Sequence, residues 1–134
     1  VDSPYPIVIE PARIIIAGSR TINEYELIER WMDHYTRFII NDRECEVVSG
    51  GADGPDTLGE LWAKRNGLPV VPFPVNWYPK GKFHNGAAFM RNIRMAKYGT
   101  HLVAFWDTVS TGTKQMIDQA RLRNLYVRVV EVEI

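Results

Sequence analysis

Arg13-Ile14-Ile15-Ile16-Ala17-Gly18-Ser19-Arg20 is the stretch that decides the fold. The run from Arg13 to Ala17 has no polar alternation, so it reads as a strand buried on both faces; a half-exposed strand would place a polar side chain at every second position. It stops at Gly18, and helical spacing follows. Leu27, Ile28, Trp31, Met32, Tyr35, Phe38 and Ile39 form one apolar stripe behind a capping box expected from Thr21 and Glu24. A doubly buried strand that feeds an amphipathic helix is the opening unit of a parallel sheet covered on both sides.

The same alternation continues outward along the chain. A second strand, Glu46 to Ser49, runs into Gly50-Gly51-Ala52-Asp53-Gly54-Pro55-Asp56, where Asp56 is expected to cap a helix that carries Leu58, Leu61 and Trp62 and stops at Gly67. Val70 to Pro74 reads as a third strand. Pro72 cannot donate to a ladder, which restricts that strand to an edge. The strand order 3-2-1-4-5 puts it there, so the predicted architecture is a Rossmann-like α/β three-layer sandwich with a parallel sheet of about five strands. A long loop, Val75 to Asn85, precedes a helix over Gly86 to Tyr98, a strand over His101 to Trp106 and a turn from Asp107 to Thr111. Gly112-Thr113-Lys114 opens the last helix, with Met116, Ile117 and Ala120 on its apolar face and Asn124 as its C-terminal cap; Leu125 to Val132 forms the final strand. No linker or repeat divides the chain, and one domain over residues 1–134 is expected.

The 134 residues are 46% hydrophobic and 24% charged with a formal net charge of zero, an ordinary globular mixture. Zero net charge argues against indiscriminate binding to nucleic acid or anionic membrane, both of which draw on excess Lys and Arg. The charge is nevertheless uneven. No acidic residue lies between Glu60 and Asp107, whereas Lys64, Arg65, Lys80, Lys82, Arg91, Arg94 and Lys97 all do, which makes either an anion-binding wall or a set of solvated helix faces. Cys45 is the only cysteine, and no Cys/His spacing suits a metal, so neither a disulfide, a metal nor a cofactor is called for. The chain begins without a basic region followed by an apolar stretch and has no run long enough to span a bilayer; a cytoplasmic protein is expected.

Ligands of such sheets sit beyond the carboxyl ends of the strands where the order reverses, here between the first and fourth. The unusual residues cluster at those ends. Gly18, Ser19 and Arg20 leave the first strand; Gly50, Gly51, Ala52, Asp53, Gly54 and Asp56 leave the second; Ser110, Thr111, Gly112 and Thr113 follow the fourth. Glycines let backbone N–H groups close on an anion, and each following helix offers unpaired donors and a partial positive end, which suits phosphate. Arg20 and Arg91, the latter beside Asn92, are the side chains best able to grip it through paired donors. Trp77, Tyr78 and Trp106 could flank or stack on a base, although Trp106 fits the core as well, and His84 is the one histidine in a polar loop.

Ala17-Gly18-Ser19-Arg20, Val48-Ser49-Gly50-Gly51-Ala52-Asp53-Gly54-Pro55-Asp56, Arg91-Asn92-Ile93-Arg94-Met95 and Ser110-Thr111-Gly112-Thr113 together resemble the YspA-like branch of the SLOG superfamily, which is found in bacteria and their phages. The resemblance covers roughly Ile14 to Val130. It implies a Rossmann-like fold, frequent homodimers and a nucleotide or nucleotide-sugar pocket, without by itself implying catalysis. The superfamily includes the Lonely Guy phosphoribohydrolases and the DNA-processing protein DprA. Against the former, Arg91, Met95 and Ser110 to Thr113 match, but the position of the catalytic glutamate holds Met116. Methionine can neither stabilise an oxocarbenium-like charge nor activate water. Asp53 and Asp107 are therefore the candidate catalytic carboxylates if an N-glycosidic bond is cut, while Asp56 reads more simply as a cap. The resemblance and the residues favour a ligand-binding or sensing module first, an N-glycoside hydrolase of nucleoside 5′-monophosphates or nucleotide sugars second, and single-stranded DNA binding through the Lys80 to Lys97 region a distant third.

Overall fold

Strand β1 (Ala12–Gly18) is the central strand of a sheet whose side chains divide by simple alternation. Ile14 and Ile16 enter one apolar cluster with Val47, Val103 and Phe105; Ile15 and Ala17 enter a second with Val48, Leu102 and Ala104. Both clusters are buried, which is why the run carries no polar alternation. The computed structural model describes residues 10–133 of the expected 1–134 domain, so most of the N-terminal stretch read for a leader lies outside the described residues.

β2 (Cys45–Ser49), β3 (Val70–Pro72), β4 (His101–Trp106) and β5 (Tyr126–Glu131) complete a five-stranded sheet in the order β3-β2-β1-β4-β5. Every pairing is parallel; Ile14 faces Val47 on one side and His101 on the other. Helices α1 (Tyr25–Thr36) and α2 (Pro55–Arg65) cover the first cluster with Ile28, Met32, Trp62 and Ala63. Helices α3 (Ala87–Tyr98) and α4 (Thr111–Leu122) cover the second with Met95, Ala96, Met116, Ile117 and Ala120. The predicted Rossmann-like three-layer arrangement and its strand order are therefore present, and Pro72 lies on the edge strand that its missing N–H requires. Asn124 takes a left-handed conformation, φ 60°, and ends α4 as expected.

Three local expectations fail. The capping box of Thr21 and Glu24 does not form, because α1 begins at Tyr25 with Glu24 itself at the N-cap, three residues past Thr21; the Thr21 hydroxyl donates instead to Asp107 Oδ2 at 3.5 Å. The helix itself stops at Thr36, whose hydroxyl donates to the Met32 carbonyl, so Phe38 falls in the following turn and is exposed, while Ile39 still packs against the first cluster from that turn. Asp56 is not the cap of α2. Gly54 holds that place and Pro55, whose ring presets the helical φ, opens the helix, so Asp56 falls inside the first turn with its carboxyl buried. Among the described residues no helix is long and apolar enough to cross a membrane.

Candidate functional site

Close approach of the β1 and β4 ends shapes the site. A Cβ on Gly18 would lie 2.3 Å from the Phe105 carbonyl oxygen and 2.7 Å from the Pro55 ring, so only glycine lets the first loop lie against both β4 and α2. Ser19 then ties the loops together. Its N–H donates to the Phe105 carbonyl (2.9 Å), while its hydroxyl accepts from Asp107 N–H (3.1 Å) and lies 3.5 Å from Thr113 Oγ1. Gly54, at φ 85°, brings the second loop onto the backbone of Ser19, Arg20 and Ile22.

These loops and the first turns of α3 and α4 enclose a cleft of about 470 Å³ at the carboxyl ends of β1 and β4. Of the residues singled out from sequence, Gly18, Ser19, Arg20, Ala52, Asp56, Arg91, Asn92, Asp107, Ser110, Thr111, Gly112 and Thr113 line it. Gly50, Gly51 and Trp77 line a neighbouring cleft of about 370 Å³ that shares Arg20, Ala52, Ala88 and Arg91 with the first. Asp53 and Gly54 line neither. Thr21, Ala88 and Phe89 also line the main cleft without having been anticipated. For Ala88 the signal was present, since positions 88, 91, 92 and 95 share one helical face.

Several of these residues are engaged with the protein itself. Arg91 is buried; its Nε donates to Asn92 Oδ1 (3.0 Å) and its Nη1 to the carbonyls of Gly50 (2.6 Å) and Phe73 (3.3 Å). The paired edge expected to grip a phosphate thus holds the ends of β2 and β3 instead, and Nη2 has no hydrogen bond among the described residues. Asn92 in turn donates to Gln115 Oε1 (2.9 Å), joining α3 to α4. Ser110 caps α4 by accepting from Thr113 N–H (3.3 Å). Among the described residues no such side-chain partner reaches the N–H groups of Thr111 and Gly112, the first two of α4. Arg20 is exposed, lines both clefts and has no ion pair among the described residues. Trp106, partly buried, donates from its indole to the Ser110 carbonyl (3.0 Å) and so braces the turn from the core side.

The carboxylates differ in state. Asp107 accepts from the N–H groups of Ser110 (2.7 Å) and Val109 (2.9 Å), and these bonds hold it below the usual carboxylate range; it shapes the turn and is a weak base. Asp56 accepts from Ala52 N–H at 3.4 Å, yet burial outweighs that bond and the nearby Arg91 charge, and its carboxyl is pushed up to about 6. Met116 is buried in the wall of the same cleft. Among the described residues no cluster of His, Cys, Asp and Glu could hold a metal ion.

Comparison with known proteins agrees with this frame. An X-ray structure of DNA processing protein A (DprA) from Streptococcus pneumoniae superposes with a TM-score of 0.68 over 92% of this chain at 17% identity. The chain spans about half of that protein's length, 51%. No curated protein sequence matches it. The model of the YspA, cpYpsA-related SLOG family matches residues 12–78, half of the chain, from the start of β1 through the second glycine loop to the segment carrying Trp77. With that match laid over the sheet order and the loops at its carboxyl rim, the chain belongs to the YspA, cpYpsA-related SLOG family.

Proposed function

We propose that the chain is a binding module for a nucleotide or nucleotide-derived phosphorylated ligand, held in the cleft between the ends of β1 and β4. The observation that carries this reading is the convergence of one exposed cation, Arg20, with two backbone N–H groups at the start of α4 that have no partner among the described residues, in a cleft of about 470 Å³. That volume suits a mononucleotide or somewhat larger ligand. Arg91 contributes Nη2 and a fixed positive charge in place of a bidentate grip, and Trp77, in the adjoining cleft, supplies a ring against which a base can lie. Calorimetric titration with a panel of nucleoside mono- and diphosphates and nucleotide sugars is the test. We expect saturable binding by at least one, and no heat from any phosphorylated nucleoside would remove the reading.

A hydrolytic second reading draws on Asp56. Among the carboxylates considered it is the one that is buried in the cleft wall with a pKa raised toward neutrality, where a general acid or base works best. It takes over the role first assigned to Asp53 and Asp107 in cleavage of an N-glycosidic bond. Chromatography for released base distinguishes the readings: turnover lost in Asp56→Asn supports hydrolysis, and binding without release supports the module.

A further inference from the structure

A further cavity, of about 400 Å³, lies on the other side of the α3 N-terminus and shares no lining residue with the main cleft. It is lined by Asn76, Lys80, His84, Ala87, Met90 and Arg94, together with Pro79. Each polar side chain there is a donor. Lys80 and Arg94 are cations, and neither has an ion pair among the described residues. Asn76 Oδ1 is engaged by the Tyr78 N–H at 3.1 Å, which leaves the amide NH₂ to the cavity. His84 Nδ1 accepts from the Gly86 N–H at 3.0 Å, so the neutral ring carries its proton on Nε2 and is a donor as well.

Two further features point the same way. Helix α3 has no acidic residue in its first turn; His84 occupies the Gly86 and Ala87 N–H groups through Nδ1 and its carbonyl (3.2 Å), and the partial positive charge of the helix start adds to that of the cations at the rim. Lys80 is held at φ 59°, a left-handed conformation uncommon for a residue with a Cβ, in a short 3-10 turn (Pro79–Gly81) at the cavity rim. No carboxylate lines the cavity, in keeping with the absence of acidic residues between Glu60 and Asp107. A cavity furnished with donors and positive charge repels cations and has nothing to offer a neutral acceptor-poor ligand; a tetrahedral oxyanion, which carries acceptors on every side, is the ligand class matched to such a lining.

We propose that Asn76, Lys80, His84 and Arg94 form a second phosphate-binding subsite, separate from the loop cleft. It takes a phosphoryl group, either as free phosphate or as a terminal phosphate of a small ligand. The site goes beyond the function proposed above and does not depend on it.

The test is nuclear magnetic resonance of the full chain titrated with inorganic phosphate, following the His84 ring signals for this cavity and the Thr111 and Gly112 amides for the loop cleft, with sodium chloride at matched ionic strength as control. We expect a saturable His84 response to phosphate that chloride does not reproduce, and a half-saturation point raised about tenfold in Arg94→Ala and in Lys80→Gln. Adenosine 5′-monophosphate in a parallel titration separates free phosphate from a ligand's phosphate by which of the two moves His84 at lower concentration. A His84 ring indifferent to phosphate and to the nucleotide, or equally responsive to chloride, overturns the subsite even if the cleft amides respond. Movement of His84 with silent cleft amides upholds it and counts against the loop reading alone. Both substituted side chains are exposed, so the fold survives their replacement.

Discussion

Asp56, Gly50 and Arg91 form a unit in which no member can be changed in isolation. A Cβ on Gly50 would meet Arg91 Nη1 at 2.6 Å and Asp56 Oδ2 at 2.9 Å, so the glycine is the gap through which cation and carboxyl face each other. Gly50→Ala is expected to destabilise the fold by about 1 to 3 kcal/mol through overpacking, read as a lower urea midpoint. Asp56 titrates near 6 in the folded chain but near the ordinary carboxyl value, about 4, when unfolded. The folded state therefore takes up a proton that the unfolded state does not, so this group's contribution to stability grows as pH falls from about 6 to 4, is fully present below about 4 and is lost as pH rises through 6. Its size is on the order of 3 kcal/mol. Denaturation at a series of pH values should show wild type gaining on Asp56→Asn over that window, and parallel curves would assign the proton elsewhere. Arg20 differs from Arg91 because it is exposed and has no ion pair among the described residues: Arg20→Ala should weaken ligand binding about tenfold in calorimetry while leaving the melting temperature in place.

The helix ends differ in how they satisfy their first N–H groups, and this decides which of them can meet an anion. Ser110 caps α4 through Thr113 N–H, so Ser110→Ala should lower stability by about 1 kcal/mol, measured by chemical denaturation. The elements themselves were legible in the sequence: the run Ile14 to Ile16 announced a central strand, and Pro72 announced an edge, because burial on two faces and a missing donor each leave a compositional mark. Caps were legible less well. The pattern of Thr21 and Glu24 fits a box on paper, but α1 begins later and the Thr21 hydroxyl is taken by Asp107, a contact 86 residues away in sequence. The role of Arg91 was hidden for the same reason, since its carbonyl partner at Gly50 lies 41 residues off and belongs to another strand end. Arginine early in a helix looks alike whether it faces solvent, a ligand or the end of a strand.

Over the whole molecule, the place of the cleft was readable from strand order alone, because order 3-2-1-4-5 has a single reversal and the glycine loops fall around it. Which loop residues face that cleft was not readable: Asp53 and Gly54 do not line it, and Trp77 lines the neighbouring one. A ligand that binds only the assembled rim must stabilise the assembled fold. At a concentration about one hundred times its dissociation constant, a bound nucleotide should add about 2.7 kcal/mol to the unfolding free energy, visible as an upward shift in the thermal transition. A nucleotide that registers in calorimetry but leaves the transition unmoved would indicate binding away from the loops.

The proline in β3 governs how copies of this chain could associate through their sheets. Phe73 N–H points inward to the Ser49 carbonyl at 2.8 Å, so by alternation the nitrogen of Pro72 faces the outer margin, where it has no hydrogen to offer. That margin, three residues long, is a poor template for a foreign strand, whereas the six-residue β5 has no proline and presents an outward row of donors and acceptors in which the Val127 carbonyl accepts from Arg128 Nη1 at 3.1 Å. Growth of the sheet by strand addition is thus one-sided: two copies could join β5 to β5, and the resulting ribbon would terminate at a proline on each flank, closed to further polymerisation.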